Sequence, residues 1–175
     1  MIVSIHQPNY MPWLGFFDKI IQSDIFVIFD DVQFPRGKSH FGHRNYIKTN
    51  NSESKKYLTV PLFGKSSFKK FNEIQINYNG WNKNHLNLIS ENYKRSKYYN
   101  NYYDKLSDIL MVEYESLSDL TSKLIKYFMF ELKIDTKVMF SSDICYDTIS
   151  GADRISFILN ELNAKKYISG TGPGS

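Results

Sequence analysis

Apolar positions in this chain follow two periods, and the change from one to the other marks out the first elements. Ile2 to His6 is a short β-rich run, followed by a turn over residues 7–12 that contains Pro8 and Pro12. Trp13, Phe16, Phe17 and Ile20 then recur at i, i+3, i+4 and i+7, which predicts a helix over 13–22. Pro12 stands at its start, where a missing N–H does no harm. Ser23 and Asp24 break the helix, and Ile25 to Phe29 is apolar at every position, as a strand buried on both faces requires. That run ends in Asp30 and Asp31. The pattern is a compact, right-handed βαβ unit.

Beyond it, residues 32–43 are irregular, with Pro35, Gly37 and Gly42, and a loop of this length is commonly functional. Residues 44–48 and 57–62 read as paired strands around a polar turn, and 73–77 alternates like a further strand. Helices are expected over 81–94, 98–111 and 116–132, the last with Leu117, Leu120, Leu124, Phe128 and Leu132 on one face. A strand at 137–141 precedes a capping-box-like start at Ser150–Asp153, an apolar stripe of Ile155, Ile158, Leu159 and Leu162, and a strand at 166–169. With βαβ at both ends, the fold class is α/β. A Rossmann-like parallel sheet over 1–175 carries strands and helices inserted at about 35–135. Ligands of such sheets bind beyond the carboxyl ends of the strands, here His6-Gln7, Asp30-Asp31 and Ser169-Gly170.

Composition narrows the classes. The 175 residues are 42% hydrophobic and 16% aromatic, enough for one domain to bury a core without staples. One cysteine excludes an internal disulfide. No apolar run is long enough to cross a bilayer, and the start lacks a signal peptide, so a soluble cytoplasmic protein is expected. The net charge of +4 is uneven: residues 32–70 carry nine basic residues against Glu53 alone. That end favours an anionic partner, a phosphorylated small molecule rather than nucleic acid, since no zinc-finger or RNA-binding signature is present. With four arginines in a lysine-rich chain, each Arg is informative, because its planar fork suits phosphate and carboxylate.

Candidate chemistry concentrates in the turn after the first strand. His6, Gln7, Asn9, Tyr10 and Trp13 are costly choices for folding alone, and the backbone N–H groups of that turn suit an anion. Asp30 and Asp31 are candidates to hold a hydrated Mg²⁺, orient an amine or act as a base. His6, Asn9, Tyr10, Asp30 and Gln33 are expected to converge on one pocket. Trp81 and His85 share a helix face that could stack on a ring. His40 and His43 flank Gly42 in a loop, which argues against a metal site, and a lone Cys145 is more often a buried hydrophobe than a nucleophile. Ser169, Gly170 and Thr171 open a glycine-rich phosphate cradle without the Lys-Ser/Thr of a P-loop. The closing Gly-Pro-Gly-Ser also resembles a remnant of cloning.

Together these residues resemble the WbqC-like family. The resemblance is carried by residues 6–19 (HQPNYMPWLGFFDK), 30–34 (DDVQF), 44–49 (RNYIKT) with 58–61 (LTVP), Trp81 with His85, and 167–170 (YISG). Family members usually continue beyond the last motif, so this chain is expected to be short at its C-terminus. The resemblance implies a role in surface-polysaccharide (O-antigen) clusters, with aminoacyl (glycine) transfer as a suggested activity. The turn at 7–13 and residues 167–171 are also similar to the turn and phosphate loop of nucleotidylyltransferase-like proteins, although Tyr10 and Trp13 replace the two catalytic histidines of that motif. The first reading is therefore an acyl or aminoacyl transferase acting on a nucleotide- or lipid-linked amino sugar. Arg36, Lys38 and Arg44 would hold phosphates, Asn45 would bind substrate, and His6 or Asp30 would be the base, with N–H groups near Asn9 as oxyanion donors. The second is an ATP-using ligase or nucleotidylyltransferase relative, with ATP as cofactor. The third is a non-catalytic nucleotide- or sugar-binding module.

Overall fold

A computed structural model describes residues 1–35, 41–50, 54–64, 69–144 and 151–170. β1 (Ile2–His6), α1 (Leu14–Ile21) and β2 (Ile25–Ile28) form the expected βαβ unit. β3 (Arg44–Lys48) and β4 (Lys55–Thr59) make an antiparallel hairpin, and α2 (Trp81–Tyr93), α3 (Tyr99–Met111) and α4 (Leu117–Glu131) follow. β5 (Lys137–Phe140), α5 (Gly151–Glu161) and β6 (Lys166–Ile168) close the chain's regular structure. The main sheet is parallel throughout, in the order β5-β2-β1-β6. The fold is α/β and Rossmann-like.

β2 is apolar throughout because both its faces are covered. Phe26 and Ile28 pack with Phe16, Phe17 and Ile20 of α1 and with Ile125 and Met129 of α4. Ile25 and Val27 face the other way, with Val3, Ile5 and Ile158 of α5. The inserted segment has its own core, in which Leu58, Phe71, Ile74, Trp81 and Leu110 meet Leu117, Leu120 and Leu124 of α4. α4 thus joins the two cores. It starts with a capping box in which the Asp119 N–H donates to Ser116 Oγ and the Ser116 N–H to Asp119 Oδ2, each at 3.1 Å. The box expected at Ser150–Asp153 lies partly outside the described residues.

One expected strand is absent. Residues 71–73 form a 3₁₀ turn, and Ile76 makes a single antiparallel bridge to Leu62. Ile74 and Ile76 are buried, Glu73 and Gln75 exposed and Asn77 half-buried, so the alternation reports burial correctly. Among the described residues the pairing stops at that bridge, which is closed by the Phe63 N–H donating to the Gln75 carbonyl at 3.0 Å and the Asn77 N–H to the Pro61 carbonyl at 2.9 Å.

Candidate functional site

β1 leads through α1 to β2 on one side, whereas its other neighbour, β6, arrives from β5 by a crossover through α5. The direction of winding therefore reverses between β1 and β6, and a crevice opens beyond their carboxyl ends, where open α/β sheets bind ligands. A cleft of about 300 Å³ occupies that point, lined by His6, Trp13, Phe16, Lys19, Ser169 and Gly170 among others. Register explains the grouping: Ser4 pairs with Ile168, so His6 draws level with Gly170.

His6 and Lys19 define the chemistry of the cleft. The half-buried His6 ring packs edge-on to Phe16 at 5.1 Å, and its Nδ1 lies 2.8 Å from the Gln7 carbonyl oxygen. A carbonyl can only accept, so Nδ1 carries the proton and Nε2 of the neutral ring offers a lone pair. Burial lowers the pKa of His6; the hydrogen bond to Gln7 opposes this, and the charge of Lys19 adds to it. The Lys19 ammonium donates to the Ile5 carbonyl at 2.8 Å and has no carboxylate partner among the described residues. Burial pulls its pKa down to about 8. At the rim, Trp13 is 46% exposed. A Cβ on Gly15 would come within 2.8 Å of Trp13 Nε1, so glycine there lets the indole fold over the start of α1.

A second set of expected site residues holds this turn from behind. Tyr10 is fully buried in the inserted core, with its hydroxyl 2.8 Å from His85 Nδ1 and its ring against Trp81. Asn45 Nδ2 donates to the Met11 carbonyl at 2.6 Å, and the Tyr10 N–H donates to the Phe41 carbonyl at 3.0 Å. That N–H is thus not open as an oxyanion donor. Asn9 is buried and Gln7 half-buried in the same turn. Burial pulls His85 down to about 4, against a hydrogen bond to the Thr59 backbone. The unfolded chain, with an ordinary histidine pKa, binds this proton first, so stability is full above about pH 6.5 and falls as pH drops towards 4. Urea melts should show about 2 kcal/mol less stability at pH 5 than at pH 7.5, and His85→Gln should flatten much of that slope.

Asp30 and Asp31 form a third group. Asp30 Oδ1 accepts from Ser141 Oγ and from the Ser142 N–H, both at 3.1 Å, and Oδ2 accepts from Ser142 Oγ at 2.8 Å. Asp31 accepts from Ser141 Oγ and pairs with the buried Arg154 guanidinium. All four carboxylate oxygens are bonded to protein donors, and the pair latches the ends of β2, β5 and α5 together. Burial, and to a lesser extent Asp31, raise the pKa of Asp30 against the hydrogen bonds from Ser142 and Ser141. Gln33 is exposed and bridges to Lys70, while the Arg44 guanidinium lies over the Tyr57 ring at 4.4 Å. Neither lines the His6 cleft. Arg36, Lys38, His40, Cys145 and Thr171 lie outside the described residues. Among the described residues no group of three or more His, Cys, Asp or Glu is arranged to hold a metal ion.

The turn, the paired aspartates and the Ser-Gly end of β6 all fall within one family model, that of the WbqC-like protein family, which matches residues 7–175. The chain belongs to the WbqC-like protein family. It is 33% identical over 171 residues to the Mycobacterium tuberculosis protein "Uncharacterized protein Rv1507c", covering 96% of this chain and 71% of that one. No solved structure matches the chain at a significant level.

Sequence reasoning passed over two residues of this WbqC-like chain, Lys19 in the cleft and Arg154 in the aspartate latch. Lys19 follows Phe16 by three positions and so shares that buried residue's side of the helix. Arg154 precedes Ile158 by four on α5 and shares its inward face, which was a legible signal for a buried cation.

Proposed function

We propose that this chain is a transferase that moves an acyl or aminoacyl group onto a nucleotide-linked amino sugar, with His6 as the base and Lys19 as the phosphate contact. One observation carries the reading: a neutral histidine whose Nε2 offers a lone pair, and a lysine with no carboxylate partner among the described residues, line the same switch-point cleft. The diphosphate lies against Lys19 and Ser169, and Trp13 offers an aromatic face to a ring of the substrate. His6 Nε2 takes a proton from the sugar amine as the amine nitrogen attacks the carbonyl carbon of an ester or thioester donor. The C–O or C–S bond then breaks, and the leaving group takes the proton back from His6. Bound phosphate also offsets the Lys19 charge, which eases protonation of His6 during the step. Asp30, with its oxygens bonded to serine donors, positions the β2 end instead of serving as base. The family resemblance supports reading the reaction as a step of surface-polysaccharide biosynthesis, and the proposal puts it in the cytoplasm.

Thermal-shift titration with UDP-sugars, dTDP-sugars and ATP tests the binding half. A ligand at one hundred times its Kd adds about 2.7 kcal/mol of stability. Lys19→Met should weaken a diphosphate ligand by about 1.5–3 kcal/mol, the range of a charged hydrogen bond. Wild-type affinity should also fall as pH rises through about 8, where free Lys19 loses its proton, and the variant should not follow. Equal shifts from wild type and variant would remove Lys19 from the site. A second reading, adenylation of a carboxylate by ATP, is favoured by the position of the cleft, since dinucleotides bind at this crevice in open α/β sheets. Carboxylate-dependent pyrophosphate release from ATP distinguishes it.

A further inference from the structure

Away from the cleft, the corner between α2 and α3 carries a groove of about 230 Å³ lined by Tyr93, Tyr98, Tyr99, Tyr102, Tyr103 and Leu106, with Ile89 and Ser96. Tyr98 and Tyr102 are 57% and 44% exposed, a turn apart on one side of the helix. The corner itself is tight: the Ser96 N–H donates to the Tyr93 carbonyl at 2.8 Å and the Tyr99 N–H to the Ser96 carbonyl at 3.1 Å. Lys94, Arg95 and Lys97 are all exposed on it, with Lys97 Nζ 5.0 Å from the Tyr98 ring centre.

The tip of the β3–β4 hairpin adjoins this corner. The Lys48 N–H donates to Tyr93 Oη at 3.2 Å, the Asn50 N–H to Asn92 Oδ1 at 3.0 Å, and Asn50 Nδ2 to the Glu91 carbonyl at 3.0 Å. The tip adds exposed Lys48, Lys55 and Lys56, with Lys55 Nζ 4.5 Å over the ring of exposed Tyr46. Residues 48–56 and 91–98 together carry six cations against two carboxylates, Glu53 and Glu91. A solvated basic surface has no need of an apolar groove at its centre, and an apolar protein interface has no need of six cations around it. An interfacial membrane site needs both: tyrosines that sit at the headgroup level and a basic rim for anionic lipid.

We propose that this face docks the protein peripherally on an anionic lipid bilayer, with acyl or glycerol carbons against the tyrosine groove and lipid phosphates on Lys94, Arg95, Lys97 and the hairpin lysines. No helix among the described residues is long and apolar enough to cross a membrane, so attachment is at the surface and reversible. The proposal stands apart from the transfer reaction, because none of these residues lines the His6 cleft.

Co-sedimentation with phosphatidylcholine vesicles, with and without phosphatidylserine, tests it. Wild type should bind the anionic vesicles, lose them at high salt, and ignore the neutral ones. Replacing Lys94, Arg95 and Lys97 together by Ala should lower partitioning about 10²-fold, at roughly fivefold per charge. Tyr98→Ser with Tyr102→Ser should lower it further at unchanged charge. These side chains are exposed, so an unchanged melting temperature should accompany each loss. Lys123→Ala with Lys126→Ala, on α4, is the control and should bind like wild type. Equal loss in that control would reduce the effect to net charge and overturn the proposal. So would the absence of any preference for phosphatidylserine, or capture of single-stranded oligonucleotide in place of vesicles.

Discussion

His6→Ala should lower turnover of the proposed transfer about 10²–10⁴-fold, the usual loss for a general base, while moving the melting temperature only a few degrees. The separation of effects follows from position. The ring is half-buried at the cleft wall, and its one hydrogen bond among the described residues runs to the backbone of the next residue, so few folding contacts go with it. Two other candidate groups are placed elsewhere: Tyr10 is in the core, and Asp30 is bonded to serines. A rate assay on a nucleotide-linked amino sugar with an ester or thioester donor, run beside a melt, reads both quantities. If the variant unfolds while its folded fraction keeps full activity, His6 is structural and the mechanism is wrong.

The largest effect on stability should come from the β2–β5 side of the sheet's carboxyl end. Arg154→Met leaves the Asp31 carboxylate buried with a serine hydroxyl but no counter-charge, a change that costs about 3–5 kcal/mol. The damage is to the fold alone, since neither partner lines the cleft. Adding Asp31→Asn to Arg154→Met should recover most of the loss, because the stranded charge goes with it. Urea unfolding of wild type, both single variants and the double variant closes the cycle. A loss below about 1 kcal/mol in Arg154→Met would show that the latch is not what ties α5 to β2.

The frame of the fold was open to reading because burial on two faces leaves a plain trace. An unbroken apolar run at 25–29 beside an i, i+3, i+4, i+7 stripe at 13–20 has few other solutions, and both elements stand where those patterns put them. The site was harder. The polar residues of the turn stand out in the sequence, but a sequence does not show which side of a turn each one leaves from. His6 and Trp13 leave towards the cleft, while Tyr10 and Asn45 secure the turn against the inserted core. Trp81 and His85 share a face, as their spacing requires, and that face points inward. Lys19 gave little warning because a lysine beside an apolar stripe is an ordinary feature of a surface helix; only the arrival of β6 makes a wall opposite it.

The strand order also governs how the chain can be made. β2 is apolar at every position, yet its outer neighbour, β5, begins at Lys137, roughly a hundred residues later. On a ribosome adding roughly 5–20 residues per second, that edge stays open for about 5–20 s after β2 emerges. For that interval Ile25–Ile28 is an uncovered hydrophobic strand with free backbone donors and acceptors, the form of surface that recruits other chains. Nascent-chain aggregation and chaperone demand should therefore concentrate on this short segment, and ease only once β5 has cleared the exit tunnel.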